Sequence, residues 1–125
     1  MVKSFVSILI SLLILTSAAL FEWFFVEDEF RSFGEEIAYL SGKVEEETAS
    51  AEDVRAVQLS WDERKSKLHI IIPHNDISRV DDYLAEALRL VGEKNFSLAR
   101  AKLEILVKIC ETVPATYHPF AENVF

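Results

Sequence analysis

Residues 23–44 read Trp23-Phe24-Phe25-Val26-Glu27-Asp28-Glu29-Phe30-Arg31-Ser32-Phe33-Gly34-Glu35-Glu36-Ile37-Ala38-Tyr39-Leu40-Ser41-Gly42-Lys43-Val44. Within them Trp23, Val26, Phe30, Phe33, Ile37, Leu40 and Val44 recur at spacings of 3, 4, 3, 4, 3 and 4. That alternation puts the apolar side chains on one stripe of an α-helix, because 3.6 residues complete a turn. Apart from Phe24, Phe25 and Tyr39, charged and small residues fill the remaining positions, so the helix has one face to bury and one to leave in water. Gly34 and Gly42 weaken it, by about 1 kcal/mol each relative to alanine.

Upstream, Ser4 to Phe21 is a run of uncharged, mostly apolar residues between Lys3 and Glu22. A helix of that length is about 27 Å long, close to the hydrocarbon thickness of a bilayer. Trp23, Phe24 and Phe25 follow, and aromatic rings favour the membrane–water interface. Proline is absent between the run and the stripe, so one helix is expected from near Ser4 to about Glu47. Lys3 is the only charged side chain before the run, and acidic Glu22, Glu27, Asp28 and Glu29 follow it. Positive-inside logic then places the amino terminus in the cytoplasm and the remainder outside. The division expected is a membrane anchor over 1–26 and an extracytoplasmic helical domain over 27–125. A cleaved signal peptide is the rival reading, with Ser17-Ala18-Ala19 as the small-x-small site and a secreted helical binding protein as the product.

Downstream, Ser50 and Asp53 have capping-box spacing, and Val54, Val57, Trp61, Leu68 and Ile71 form a second stripe interrupted by Arg64. The run Leu68 to Ile72 has β-branched residues that suit a short strand, and Pro73 disfavours helix at Ile72, but the end of a helix is expected there. Asn75 or Asp76 is the expected cap of a third helix, with Ile77, Val80, Leu84, Ala87 and Val91 as its stripe and Gly92 as its end. Asn95 is the expected cap of a fourth, carrying Phe96, Ala99, Leu103, Leu106, Cys110 and Val113, with Pro114 just beyond it. The short link between these two helices favours an antiparallel hairpin. The fold class is therefore all-α: an N-terminal transmembrane helix, then a helical bundle ending in a hairpin.

Composition narrows function more than it assigns it. The 125 residues carry 13 Lys and Arg against 21 Asp and Glu, for a net charge of −8. A chain so acidic lacks the basic face that nucleic acid needs. Its single cysteine, Cys110, excludes an intrachain disulfide and sits at a stripe position, where a buried small residue is expected. His69 and His74 are five apart, off the i, i+4 spacing that would align them on one helical face. His74-Asn75-Asp76 is read as a polar turn; a hydrolytic or metal-dependent enzyme built on His74 and Asp76 ranks far below that. Acidic runs such as Glu45-Glu46-Glu47 lack the spaced ligands and glycine of an EF-hand loop. Phosphate loops, GxSxG and HExxH are missing, so no catalytic residue, cofactor or metal ligand is expected. Trp61 is expected in the core. Phe125, in the closing Asn123-Val124-Phe125, is expected to pack back on the bundle.

The order of these features resembles a known family. It comprises an apolar span, an acidic helix, a helix centred on Trp61, the His74-Asn75-Asp76-Ile77 turn, a hairpin with Asn95-Phe96, Ala99 and Leu103, then Val113-Pro114 and Asn123-Val124-Phe125. Over nearly its whole length the chain is similar to the family numbered 4363 among bacterial domains of unknown function, found in spore-forming Gram-positive lineages. The resemblance implies a small single-span membrane protein without an established activity, in an accessory role beside a multi-span membrane protein of the YetF-like type. The expectation is a non-catalytic interaction module held at the cell membrane, binding another membrane protein or a second copy. The stripe residues Phe30, Phe33, Ile37 and Leu40 are its candidate contacts, with burial inside the chain's own bundle as the alternative.

Overall fold

The computed structural model describes residues 1–116. Four helices make up this part: α1 (Val2–Glu45), α2 (Ala51–Leu68), α3 (His74–Gly92) and α4 (Phe96–Thr116). Among the described residues there is no strand.

Helix α1 is 44 residues long and unbroken, so the apolar run and the amphipathic stripe share one rod. Burial begins at Val26 and continues at Phe30, Phe33, Ile37, Leu40 and Val44, each at most 1% exposed. These are the stripe residues from Val26 onward. Every residue of the most apolar 18-residue window upstream lies outside the bundle. Inside the run, the Thr16 hydroxyl donates to the Leu12 carbonyl at 2.8 Å, which satisfies it without water.

The remaining helices run alternately down and up beside the Val26–Val44 stripe of α1. Helix α4 packs closely on α1, and Arg100 reaches Glu45 at 3.4 Å at one end of the pair. At its middle, a Cβ built on Gly34 would lie 3.3 Å from the Cys110 Cβ, so glycine here lets the two backbones approach. Helix α3 completes the hairpin with α4, and Leu84, Ala87, Leu88 and Val91 are among the residues it buries. Helix α2 buries only Val57, Trp61 and Leu68, and is held more loosely.

Helix ends follow local chemistry. Ser50 and Asp53 form a reciprocal capping box: the Asp53 N–H donates to Ser50 Oγ at 3.3 Å, and the Ser50 N–H donates to Asp53 Oδ2 at 2.9 Å. Asn95 Oδ1 accepts from the Leu98 N–H at 3.5 Å at the start of α4. Helices α1 and α3 both close in Schellman motifs. The Thr48 N–H reaches the Lys43 carbonyl at 2.8 Å and the Asn95 N–H reaches the Leu90 carbonyl at 2.9 Å. The left-handed positions these motifs need are held by Glu47 (φ 59°) and Lys94 (φ 62°). Gly92 is the last residue of α3 and does not take that role.

Three junctions depart from the sequence reading. Helix α2 stops at Leu68, so Ile70 and Ile71 lie in a turn; the Ile71 and Ile72 N–H groups both fold onto the Leu68 carbonyl at 2.9 Å before Pro73. Pro73 itself, with φ −56° and ψ 145°, is the N-cap of α3, and neither Asn75 nor Asp76 caps it. Proline's missing N–H suits a position where the helix does not use one. Pro114 lies inside α4, which continues to Thr116. Near a helix end the disruption is small, and the Thr116 hydroxyl takes the Val113 carbonyl at 2.7 Å.

Candidate functional site

The polar chemistry of the bundle concentrates where α2 crosses α1. Arg64, which interrupts the second stripe, lies between them with its side chain 19% exposed. Its guanidinium donates to Glu29 Oε2 at 2.8 Å, to the Glu29 carbonyl at 3.3 Å, to Glu36 Oε2 at 3.5 Å and to Ser60 Oγ at 3.2 Å. Ser60 Oγ in turn donates to Glu36 Oε2 at 2.6 Å. Glu29 and Glu36 are seven apart on α1, hence two turns apart on one side of the rod, and the planar guanidinium spans them. Four hydrogen bonds tie this fixed fork to acceptors of the chain itself, so Arg64 acts as a clamp. It is not an open anion site.

A second polar joint fastens α2 to α3. Trp61 is fully buried, its ring against Phe33 at 5.1 Å and Phe30 at 6.5 Å between centroids. Its indole Nε1–H donates to Asp81 Oδ1 at 2.6 Å, and Lys65 Nζ lies 3.3 Å from the same carboxylate. At the other end of α2, Lys43 Nζ donates to Asp53 Oδ1 at 2.9 Å. The Ser50 backbone N–H, then Lys43 and the Ser50 hydroxyl, bring the Asp53 carboxyl down to about 2, and the bond to Asp53 raises Lys43.

Two shallow grooves flank α1. One of about 480 Å³ lies over Ser32, Glu36, Tyr39, Asp53 and Arg64. The other, of about 410 Å³, lies between Gly34 and Ala38 of α1 and Val107, Cys110 and Pro114 of α4. Burial raises the Cys110 thiol to about 12, helped by Glu111, which keeps it protonated and a poor nucleophile.

The stripe residues Phe30, Phe33, Ile37 and Leu40 are 0–1% exposed within the chain's own bundle. They belong to the chain's own core, with Phe30 and Phe33 against Trp61 of α2, which is the alternative given for them in the sequence. Once three further helices lie beside α1, the stripe that best suits a partner is also the stripe the bundle needs. His74 is exposed, and its Nε2 lies 3.2 Å from Ser78 Oγ one turn on. Asp76 lies 3.9 Å from Arg79. His69 Nδ1 lies 3.2 Å from the Lys65 carbonyl. Among the described residues no three His, Cys, Asp or Glu side chains converge as metal ligands would. His118 and the closing Asn123-Val124-Phe125 lie outside the described residues.

The roles of Arg64, Glu29, Glu36 and Asp81 went unread in the sequence. The available signal was Arg64 itself: a lone cation at a core position of an amphipathic helix calls for an acidic partner on the facing helix. What the chain offers is thus one long apolar helix segment in continuity with a small bundle whose partly buried charged side chains join its own helices. No family model, curated protein or solved structure matches the chain.

Proposed function

We propose that the protein is a membrane-anchored, extracytoplasmic helical module that acts by binding and not by catalysis. One observation carries this reading: no residue of the uncharged run of α1 is buried, and the run passes without a break into the helix that organises the bundle. A bilayer would cover the exposed run, and Trp23, Phe24 and Phe25 would lie at its surface. Lys3 before the run and the acidic residues after it support a cytoplasmic amino terminus and an outside bundle. Anchoring raises the effective concentration of the bundle towards a membrane partner. The partner proposed first is a multi-span membrane protein of the YetF-like type, an expectation that rests on the resemblance to the family numbered 4363 alone.

The intact mass of the native protein in carbonate-washed membranes tests the anchor. Full-length protein of 14.3 kDa in that fraction supports it. Protein in the medium lighter by about 2 kDa indicates cleavage after Ala19 and a secreted binding protein.

A further inference from the structure

The register of α2 against α1 fixes where the α2–α3 turn lies. Lys43 meets Asp53 at 2.9 Å, Ser60 meets Glu36 at 2.6 Å and Arg64 meets Glu29 at 2.8 Å. Helix α2 therefore descends α1 towards the apolar run. Leu68 is about one turn past Arg64, which brings the end of α2 level with Val26. The turn over residues 69–73 then lies beside Trp23, Phe24 and Phe25, where the run ends.

At this level the turn carries a side chain that the bundle leaves uncovered. Ile72 is buried and Ile71 partly so, but Ile70 is 80% exposed, more than any large apolar residue among the described ones except Met1. Elsewhere on the bundle the exposed apolar residues are isolated on helix faces, as at Leu59 and Leu98. Among the described residues of the bundle Ile70 alone stands at the end next to the run, and exposed Lys67 lies one turn back along α2. An apolar tip with a basic neighbour suits a bilayer interface, where aliphatic carbon enters the acyl boundary and ammonium meets phosphate.

We propose that the α2–α3 turn is a second membrane contact, with Ile70 inserted into the interfacial zone of the leaflet from which α1 emerges. The proposal rests on the anchored reading above, and its occupant is lipid, continuous with the lipid around α1. Two points of attachment would hold the bundle upright, where a single helix would let it tilt.

The test uses the full chain in vesicles of mixed phosphatidylcholine and phosphatidylglycerol, with lipids bearing a spin-label quencher either high on the acyl chain or near its end. An environment-sensitive thiol fluorophore is placed singly by Leu12→Cys, Ile70→Cys or Leu98→Cys in a Cys110→Ala background. A parallel Ile70→Cys protein keeps Cys110, whose buried thiol stays unlabelled under native conditions, and unchanged far-UV circular dichroism verifies the fold. The label at 12, at mid-bilayer, is expected to lose about half its emission to the deep quencher, and the label at 70 about as much to the shallow one, since the interfacial zone is ~5–10 Å deep. The label at 98, at the far end of the bundle, should lose almost none. Quenching at 12 with a label at 70 that behaves like the one at 98 overturns the proposal and leaves the anchor standing. A label at 70 that is shielded yet unquenched means that protein covers the turn, which also overturns it. No quenching at 12 removes the anchored reading, and this proposal with it.

Discussion

The indole Nε1–H of Trp61 donates to Asp81 Oδ1 at 2.6 Å, so the largest buried side chain of α2 is also its polar link to α3. Because α2 buries so little else, this residue is the main fastener of that helix. Trp61→Phe should cost about 1–2 kcal/mol by removing the hydrogen bond while keeping a ring. Trp61→Ala should cost about 3–5 kcal/mol. Urea titration of the full chain in detergent micelles measures both, and loss of hydrogen-exchange protection confined to α2 would show that this helix detaches first.

Asp53 sets an acid limit. Its carboxyl is lowered from the ordinary 3.8 to about 2 by the Ser50 N–H and Lys43. The unfolded chain therefore binds this proton more readily, and the stabilisation is complete above pH ~4 and vanishes as pH falls through about 2. Asp53→Asn should flatten that part of the stability–pH curve, followed by thermal melts in acid buffers. Ser50→Ala removes the other half of the box and should cost about 1 kcal/mol at neutral pH.

Glu47 and Lys94 occupy left-handed backbone that glycine adopts without strain. Glu47→Gly and Lys94→Gly should each stabilise the chain by roughly 0.5–1 kcal/mol. The paired control is Gly42→Ala, where an added Cβ meets nothing within 4 Å and helix propensity alone should give a similar gain. Melting midpoints of the three variants would check both effects.

At Gly34 the same alanine substitution should behave differently. The added Cβ would lie 3.3 Å from the Cys110 Cβ, so α1 and α4 must separate slightly, offsetting the gain in propensity. Gly34→Ala should therefore fall below Gly42→Ala in stability, and the Cys110 thiol should alkylate faster. In the unsubstituted protein iodoacetamide should modify Cys110 at pH 8 only after denaturant is added, since the thiol is raised to about 12 and buried.

The helical periodicity was legible because it needs only spacing. The stripe from Val26 to Val44, the stripes of α3 and α4, and the Ser50–Asp53 box all follow from residues within one or two turns of each other. Pro73 and Pro114 were harder to place, since whether a proline starts, ends or interrupts a helix depends on what packs around it. Pro114 is buried between α1 and α4, and a single chain segment carries no sign of that. The same holds for the side-chain chemistry. Arg64 meets Glu29 across 35 positions, so the clamp becomes visible only when α2 is laid against α1.

The unbroken course of α1 fixes direction as well as position. Eighteen residues make about five turns of an α-helix, so each residue stands directly above the one eighteen earlier. Val26, Phe30 and Phe33, which face the other helices, therefore stand above Ile8, Leu12 and Leu15. In a bilayer the bundle would overhang that face of the span, and the opposite face would stay open overhead. A membrane protein that docks on the Leu12 face would lie under the bundle and touch both, whereas one on the other face would meet the span alone. The azimuth of approach would then select which partners the bundle can reach.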